Sequence, residues 1–330
     1  MPVGSCFPTV VTVEHGILAV MTQQNTESPL PSTHDFPSIP PFWPLRIAKL
    51  LDVMRMGIIT YAAFEKTTQL TWTFPNHTCW PHQVLQLERQ RLASYMHTPN
   101  HVVVVVEDLY DPDEAAKTNI TIPSNDPAPC PVSRWTEGEA IVGVAVWKFE
   151  SDSTRIGQFS EQQQAGLFPR FSRVEPHLPF HEEHQDRYWD AIDEMNAKYF
   201  GPCGMMLETL AVHPAYWGRG HGKRLVEWSR ALAHMDGISM GVLASDISLK
   251  FYQKQQYQLL DTLRLKGDEA SPAGMTTYTM VYAPSTLQLQ HGNQPAADHQ
   301  HTEDHMPTRV QQSFTKRLRE WICRYTCPRI

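Results

Sequence analysis

The chain has 330 residues, 41% of them hydrophobic and 19% charged, with 26 prolines and a formal net charge of −7. That charge argues against a nucleic-acid binder, which needs basic density to neutralise phosphates. Six scattered cysteines (Cys6, Cys79, Cys130, Cys203, Cys323 and Cys327) lack paired ligand spacing and suit free thiols in a cytoplasmic protein, with no metal centre.

The opening 22 residues lack a basic lead and are interrupted by Pro8, Glu14 and His15, so a secretory signal is not expected. No apolar run approaches the ~18 residues of a membrane span. Residues 1–44 read as a flexible, Pro/Ser/Thr-rich arm. From Leu45 the pattern changes. Ile47, Leu50, Leu51, Met54, Ile58 and Tyr61 recur at helical spacing, predicting one amphipathic helix from Leu45 to Phe64. A second helix is expected over Pro81–Met96, and the valine run after His101 is a buried strand on length and composition. Residues 109–136 carry five prolines and read as a loop, after which Ala140–Phe149 returns as an antiparallel strand.

Residues 150–202 form an insertion whose second half, from Glu182 to Phe200, has helix-compatible aromatics. Its Phe168, Phe171, Tyr188 and Trp189 are candidates to wall an acceptor pocket. Met205–Val212 is a strand, Lys223–His234 a helix ended by Gly237, and Ile238–Ala244 a strand. A short helix from Leu249 and strands at Tyr257–Leu263 and Thr276–Tyr282 complete an α+β, or mixed α/β, domain over 45–284. Residues 285–330 form a polar tail. Its histidines match no ligand pattern, and a stripe from Val310 to Tyr325 predicts a terminal amphipathic helix.

The chemistry concentrates where the strand ending at Val212 runs through His213-Pro214 into a turn holding Gly218, Gly220 and Gly222, with a helix directly after it. Amides at a helix start lack acceptors and sit at the positive end of its dipole, so they attract phosphate. The spacing fits neither other phosphate-binding glycine signature: Lys223 is followed by Arg224 rather than Ser or Thr, and no third glycine stands three residues after Gly220.

At these residues the sequence resembles the GNAT superfamily of N-acetyltransferases, whose motif is an apolar strand, a proline, Arg/Gln-x-x-Gly-x-Gly/Ala and a helix. Trp217 stands where Arg or Gln is usual. Ser245–Tyr257 is similar to the second motif, with Gln256-Tyr257 in place of Gly-Phe.

The resemblance implies a twisted, mostly antiparallel sheet flanked by helices and splayed at the acetyl-CoA site. It places Leu210, Ala211 and Val212 along the pantetheine arm, and Gly218, Arg219, Gly220, His221, Gly222 and Lys223 around the pyrophosphate. Tyr252 would be the general acid and Glu208 the base, with His213 a weaker base candidate. The implied activity is direct transfer from acetyl-CoA, without a metal, to a small-molecule amine, in a monomer or weak dimer resembling fungal enzymes of specialised metabolism or amine detoxification. Protein or histone lysine acetylation and a non-catalytic CoA-binding module are the rivals.

Overall fold

The computed structural model describes residues 36–123, 126, 138–164, 181–201 and 203–284. The expected terminal helix, the tail histidines, Phe168 and Phe171 lie outside them. Seven strands form one sheet in the order β1-β2-β3-β4-β5-β7-β6: β1 (Leu45–Ile47), β2 (His101–Leu109), β3 (Glu139–Phe149), β4 (Met205–Val212), β5 (Met240–Ser245), β6 (Gln258–Leu265) and β7 (Met275–Tyr282). The helices are α1 (Val53–Phe64), α2 (Thr68–Thr73), α3 (Pro81–His97), α4 (Ser160–Gln163), α5 (Glu182–Met195), α6 (His221–Asp236) and α7 (Leu249–Lys254). The architecture is the mixed α/β plan expected, with every strand pair antiparallel except β4 with β5. Among the described residues no helix is long and apolar enough to cross a membrane.

The valine run of β2 divides between two cores. Val102, Val104 and Val106 join Leu225, Trp228 and Leu232 of α6 on one face, while Val103 and Val105 join Val53, Met56 and Ile59 of α1 and Leu92 of α3 on the other. Each valine is fully buried, worth roughly 1.5–3 kcal/mol relative to exposure. Two buried faces explain why polar residues do not alternate along this strand.

The single helix expected over Leu45–Phe64 is corrected. Leu45–Ile47 instead pairs with Val104–Val106 as an edge strand, a 3-10 turn follows at Leu50–Asp52, and the helix starts at Val53. Arg46 decides the outcome locally by bridging Asp52 at 2.6 Å and Glu107 at 2.8 Å, which ties the segment to β2. Short helix α2, capped by the Thr67 side chain, falls where the sequence pattern gave no element. Elsewhere the boundaries move by a few residues, and Gly237 takes the left-handed φ of a helix terminator. Gln256, standing for the family's glycine, adopts φ 66 and accepts a 2.6 Å hydrogen bond from Arg230 Nη2.

Helices α1 and α3 cross where Gly57 admits the Arg89 side chain. That guanidinium is fully buried, donates to the Met54 carbonyl at 3.0 and 3.2 Å and meets Asp126 at 2.7 and 2.9 Å. A Cβ on Gly57 would lie 2.5 Å from Arg89 Cγ. In an ordinary helix interior, Gly→Ala gains roughly 1 kcal/mol. Here overpacking of about 1–3 kcal/mol opposes that gain, because the pinned arginine has nowhere to move. Gly57→Ala is therefore expected to lower the urea midpoint, and a raised midpoint would show that Arg89 yields freely.

Candidate active site

Strand β4 builds the site from both of its edges. Toward β3 the ladder shifts register, with Val146 opposite Thr209 and Trp147 opposite Leu207, so Glu208 has no cross-strand partner. Such a bulge re-aims a side chain, and Glu208 is the one exposed residue of an otherwise buried or half-buried strand. Toward β5 the parallel ladder covers only Met205–Leu207 against Met240–Val242. Beyond it the strands part, and the gap opens a cavity of about 1010 Å³.

The cavity joins two sets of groups. One set is Gly218, Gly220, His221, Gly222 and Lys223 of the glycine turn, with Phe251 and Tyr252 of α7; the other is Phe64, Phe74, Arg91, Tyr95, Tyr188 and Trp189 from α1, α3, α5 and the segment after α2. Leu210 and Val212 line the space between. The His213 amide donates to Val142 on β3 at 2.9 Å, so by alternation the main-chain groups of Val212 and Leu210 face the open edge. Ala211, named with them from the sequence, is buried against the α1 and α3 core and does not line the cavity.

The turn needs its glycines for conformation. Gly218 and Gly220 have φ 81 and 88, where an added Cβ would meet no atom within 4 Å, so the requirement is the left-handed backbone rather than space. Gly220 precedes the first residue of α6 without a side-chain cap, which leaves the amides at His221, Gly222 and Lys223 without helical acceptors. Lys223 is exposed and only loosely paired with Glu227 at 3.5 Å.

Arg219 departs from the expectation of a phosphate contact. Its guanidinium meets Asp108 at 3.1 Å and lies 4.9 Å over the Tyr216 ring, and its side chain does not line the cavity. His221 Nε2 meets the same Asp108 at 2.9 Å. Burial raises the Asp108 pKa, but hydrogen bonds from His221, the Leu109 amide and Arg219 outweigh it and hold the carboxyl below its ordinary value.

Behind the turn, Arg55 grips Glu114 with two hydrogen bonds of 2.6 and 2.7 Å. Tyr216 donates to Glu114 at 3.1 Å and accepts from the Asp111 amide at 2.8 Å. His213, the weaker base candidate, packs within this scaffold and does not line the cavity. It is buried, its Nδ1 accepts from the Ala215 amide, and burial pushes its pKa down to about 4.

The remaining polar groups sort by environment. The carboxylate of Glu208 is open to the cleft rather than to bulk water, and the surrounding protein raises its pKa; Lys148 and Arg91 oppose this and Glu150 adds to it. Tyr252 is buried, which raises its pKa and keeps the phenol protonated. Sequence reasoning missed Arg91, which takes Glu88 at 2.6 Å and Thr209 Oγ1 at 3.2 Å. Nothing in its local pattern separated it from a solvated helix face. Among the described residues no group of His, Cys, Asp and Glu is arranged to hold a metal ion, and Cys79 and Cys203 are free.

Residues 186–259 match a family model described as an acetyltransferase (GNAT) domain. An acetyltransferase of Stachybotrys chartarum is 24% identical over 261 residues, covering 76% of this chain and 96% of that relative. Two of the similar solved structures are a histone acetyltransferase HPA2 and related acetyltransferase from Corynebacterium glutamicum, with TM-score 0.41 and 16% identity over 73% of this chain and 96% of that one, and a Drosophila melanogaster polyamine N-acetyltransferase, with TM-score 0.40 and 15% identity over 73% and 99%. The family match spans β4, the glycine turn, α6 and α7, so the stretch that builds the glycine-turn side of the cavity is the stretch similar to a GNAT acetyltransferase domain.

Proposed function

We propose that this chain transfers the acetyl group of acetyl-CoA directly to the amine of a small molecule, through a domain spanning 45–284. The observation carrying this reading is the shared cavity, in which an amide-lined glycine turn, an accessible high-pKa carboxylate and a protonated phenol face the same space. The residues suit the donor. The free amides of His221, Gly222 and Lys223 with the Lys223 ammonium would hold its diphosphate, and the open edge of Leu210 and Val212 would hold its pantetheine arm. Acetyl-CoA supplies an activated thioester there. We place the enzyme in the cytoplasm as a monomer or weak dimer. The role proposed is in fungal specialised metabolism or amine detoxification; the similar Stachybotrys chartarum protein is described as an acetyltransferase.

Two proton movements remain for the protein. An amine attacks only when neutral, so Glu208, directly or through a water, takes the proton that the amine loses as the C–N bond forms. The raised pKa brings this carboxylate closer to working pH, which strengthens it as a base. As the C–S bond breaks, negative charge gathers on sulfur. A phenol above its ordinary value of ~10 is a weaker acid than a thiol near ~8.5, so Tyr252 Oη acts first as a hydrogen-bond donor to that charge.

Glu208→Gln is expected to lower kcat/KM by about 10²–10⁴ and to remove the acidic limb of its pH profile. In the native enzyme that limb should fall at higher pH than an ordinary carboxylate, since activity is lost as the raised group protonates. Tyr252→Phe should lower kcat by roughly tenfold or more with little change in acceptor KM. Thiol release from acetyl-CoA across pH with an amine panel measures all three, and unchanged turnover in both variants would sink the assignment.

Binding of the donor is separable from turnover. Gly220→Ala should lose about 1–2 kcal/mol of stability, because an L-residue resists the left-handed backbone, and should also weaken CoA binding. Lys223→Ala should melt within about a degree of the native protein, as surface changes do, yet weaken CoA binding with a flatter salt dependence. Thermal melts with calorimetric CoA titrations at two ionic strengths decide it; native affinity in both variants places the diphosphate elsewhere.

A further inference from the structure

We infer that the acceptor is a bulky, largely apolar monoamine bearing an oxygen that accepts a hydrogen bond from Arg91, an inference that rests on the acetyl-transfer reading above. Three large apolar side chains at the cavity are exposed: Trp189 at 40%, Trp217 at 47% and Ile247 at 50%. An apolar surface gathered at a cavity mouth and left in water marks a binding face. Phe64, Phe74 and Tyr188 add to the apolar wall.

The charges point the same way. Two carboxylates, Glu88 and Glu208, line the cavity, and Glu88 is already taken by Arg91 at 2.6 Å. Lys148 and Arg91 line it as well, with Lys223 at the turn. A polyamine or a basic peptide would thus find one uncommitted carboxylate and several cations. A single amine suits one carboxylate, with the rest of the molecule neutral.

Arg91 supplies the second handle. One Nη is bound to Glu88 and the other to Thr209, which leaves a second N–H on each, and the side chain is 26% exposed where it lines the cavity. A ligand oxygen meeting one of these free N–H groups would gain a charge-assisted hydrogen bond. Burial works against the charge of this guanidinium, but Glu88 and Tyr95 more than compensate, so it stays a cationic donor. Tyr95 and Tyr188 each feel both Arg91 and Glu208, which places the two handles around one volume. Burial lifts the Tyr188 phenol to about 12, and Gln69 donates to its oxygen, so this wall stays neutral.

Equilibrium binding to the full chain saturated with CoA tests this without turnover. The probes are 2-phenylethylamine, tyramine, 4-methoxyphenethylamine, phenylalanine amide, spermidine and a lysine-containing peptide. At least one oxygen-bearing aryl amine should bind about tenfold or more tighter than 2-phenylethylamine, the value of one charge-assisted hydrogen bond, and spermidine and the peptide should bind weakest. In Arg91→Met the oxygen advantage should shrink to within about threefold. Glu88→Gln/Arg91→Met repeats the measurement without stranding Glu88. Tightest binding of spermidine or the peptide, or an oxygen advantage that survives both variants, overturns the inference. The expected binding order without thiol release from acetyl-CoA would instead count against acetyl transfer while upholding the acceptor class.

Discussion

Everything at the site follows from one strand that loses its neighbour partway along. β4 and β5 pair for three residues and then part, yet both strands continue. A main-chain edge left open in a protein interior has donors and acceptors that must find partners. The gap therefore favours a ligand that runs along it and offers amides of its own. The same separation makes room for Glu208, because the bulge toward β3 frees that side chain on the strand whose other edge is open. The accessible carboxylate of Glu208 and the open main-chain edge are thus two consequences of how one strand is paired.

The glycine turn following β4 has to be held still, since its value lies in where a few amides point. It is held from behind by charged pairs. Arg55 and Glu114 are both nearly buried, and Tyr216 and the Asp111 amide complete their hydrogen bonding. Buried ion pairs seldom add much net stability, because desolvation offsets their attraction. Their bidentate geometry fixes position instead. Asp108 does similar service on the flank by engaging both Arg219 and His221. The positive charge left uncommitted at the turn is consequently that of Lys223, only loosely paired with Glu227, and of the start of α6.

What the sequence disclosed was the part whose physics is local. The run from Met205 through Asp236 carries strand, turn and helix in one continuous stretch, with glycines at the two positions that need positive φ, so periodicity and turn chemistry locate it. Contacts between distant segments were not legible. The pairing of Leu45–Ile47 with β2 was hidden inside a helical period, because the apolar residues at 45 and 47 suit either element. Arg219 looked like a phosphate ligand until Asp108, 111 positions away, was folded beside it. Arg91 reads as a solvated helix residue until α3 is laid across β4 and brings it to Thr209. Nor does the identity of Glu208 announce the bulge that frees it, since a register shift belongs to two strands at once.

Trp217 shows how a departure from a motif can be absorbed. Where Arg or Gln is usual, its indole N–H donates to the Val212 carbonyl at 2.6 Å, with Lys66 5.9 Å over the ring. The bond closes the turn onto the strand it leaves, and it occupies one of the two lone pairs on an oxygen of the open edge. The Val212 carbonyl is thus already engaged by an N–H, leaving the Leu210 groups and the Val212 amide as the less committed main-chain groups of the open edge. The tryptophan thus gives up the charged contact an arginine would offer and supplies a side-chain clasp. Its indole, 47% exposed, also lines the cavity, so the residue that departs from the motif contributes apolar surface to the same space as Glu208.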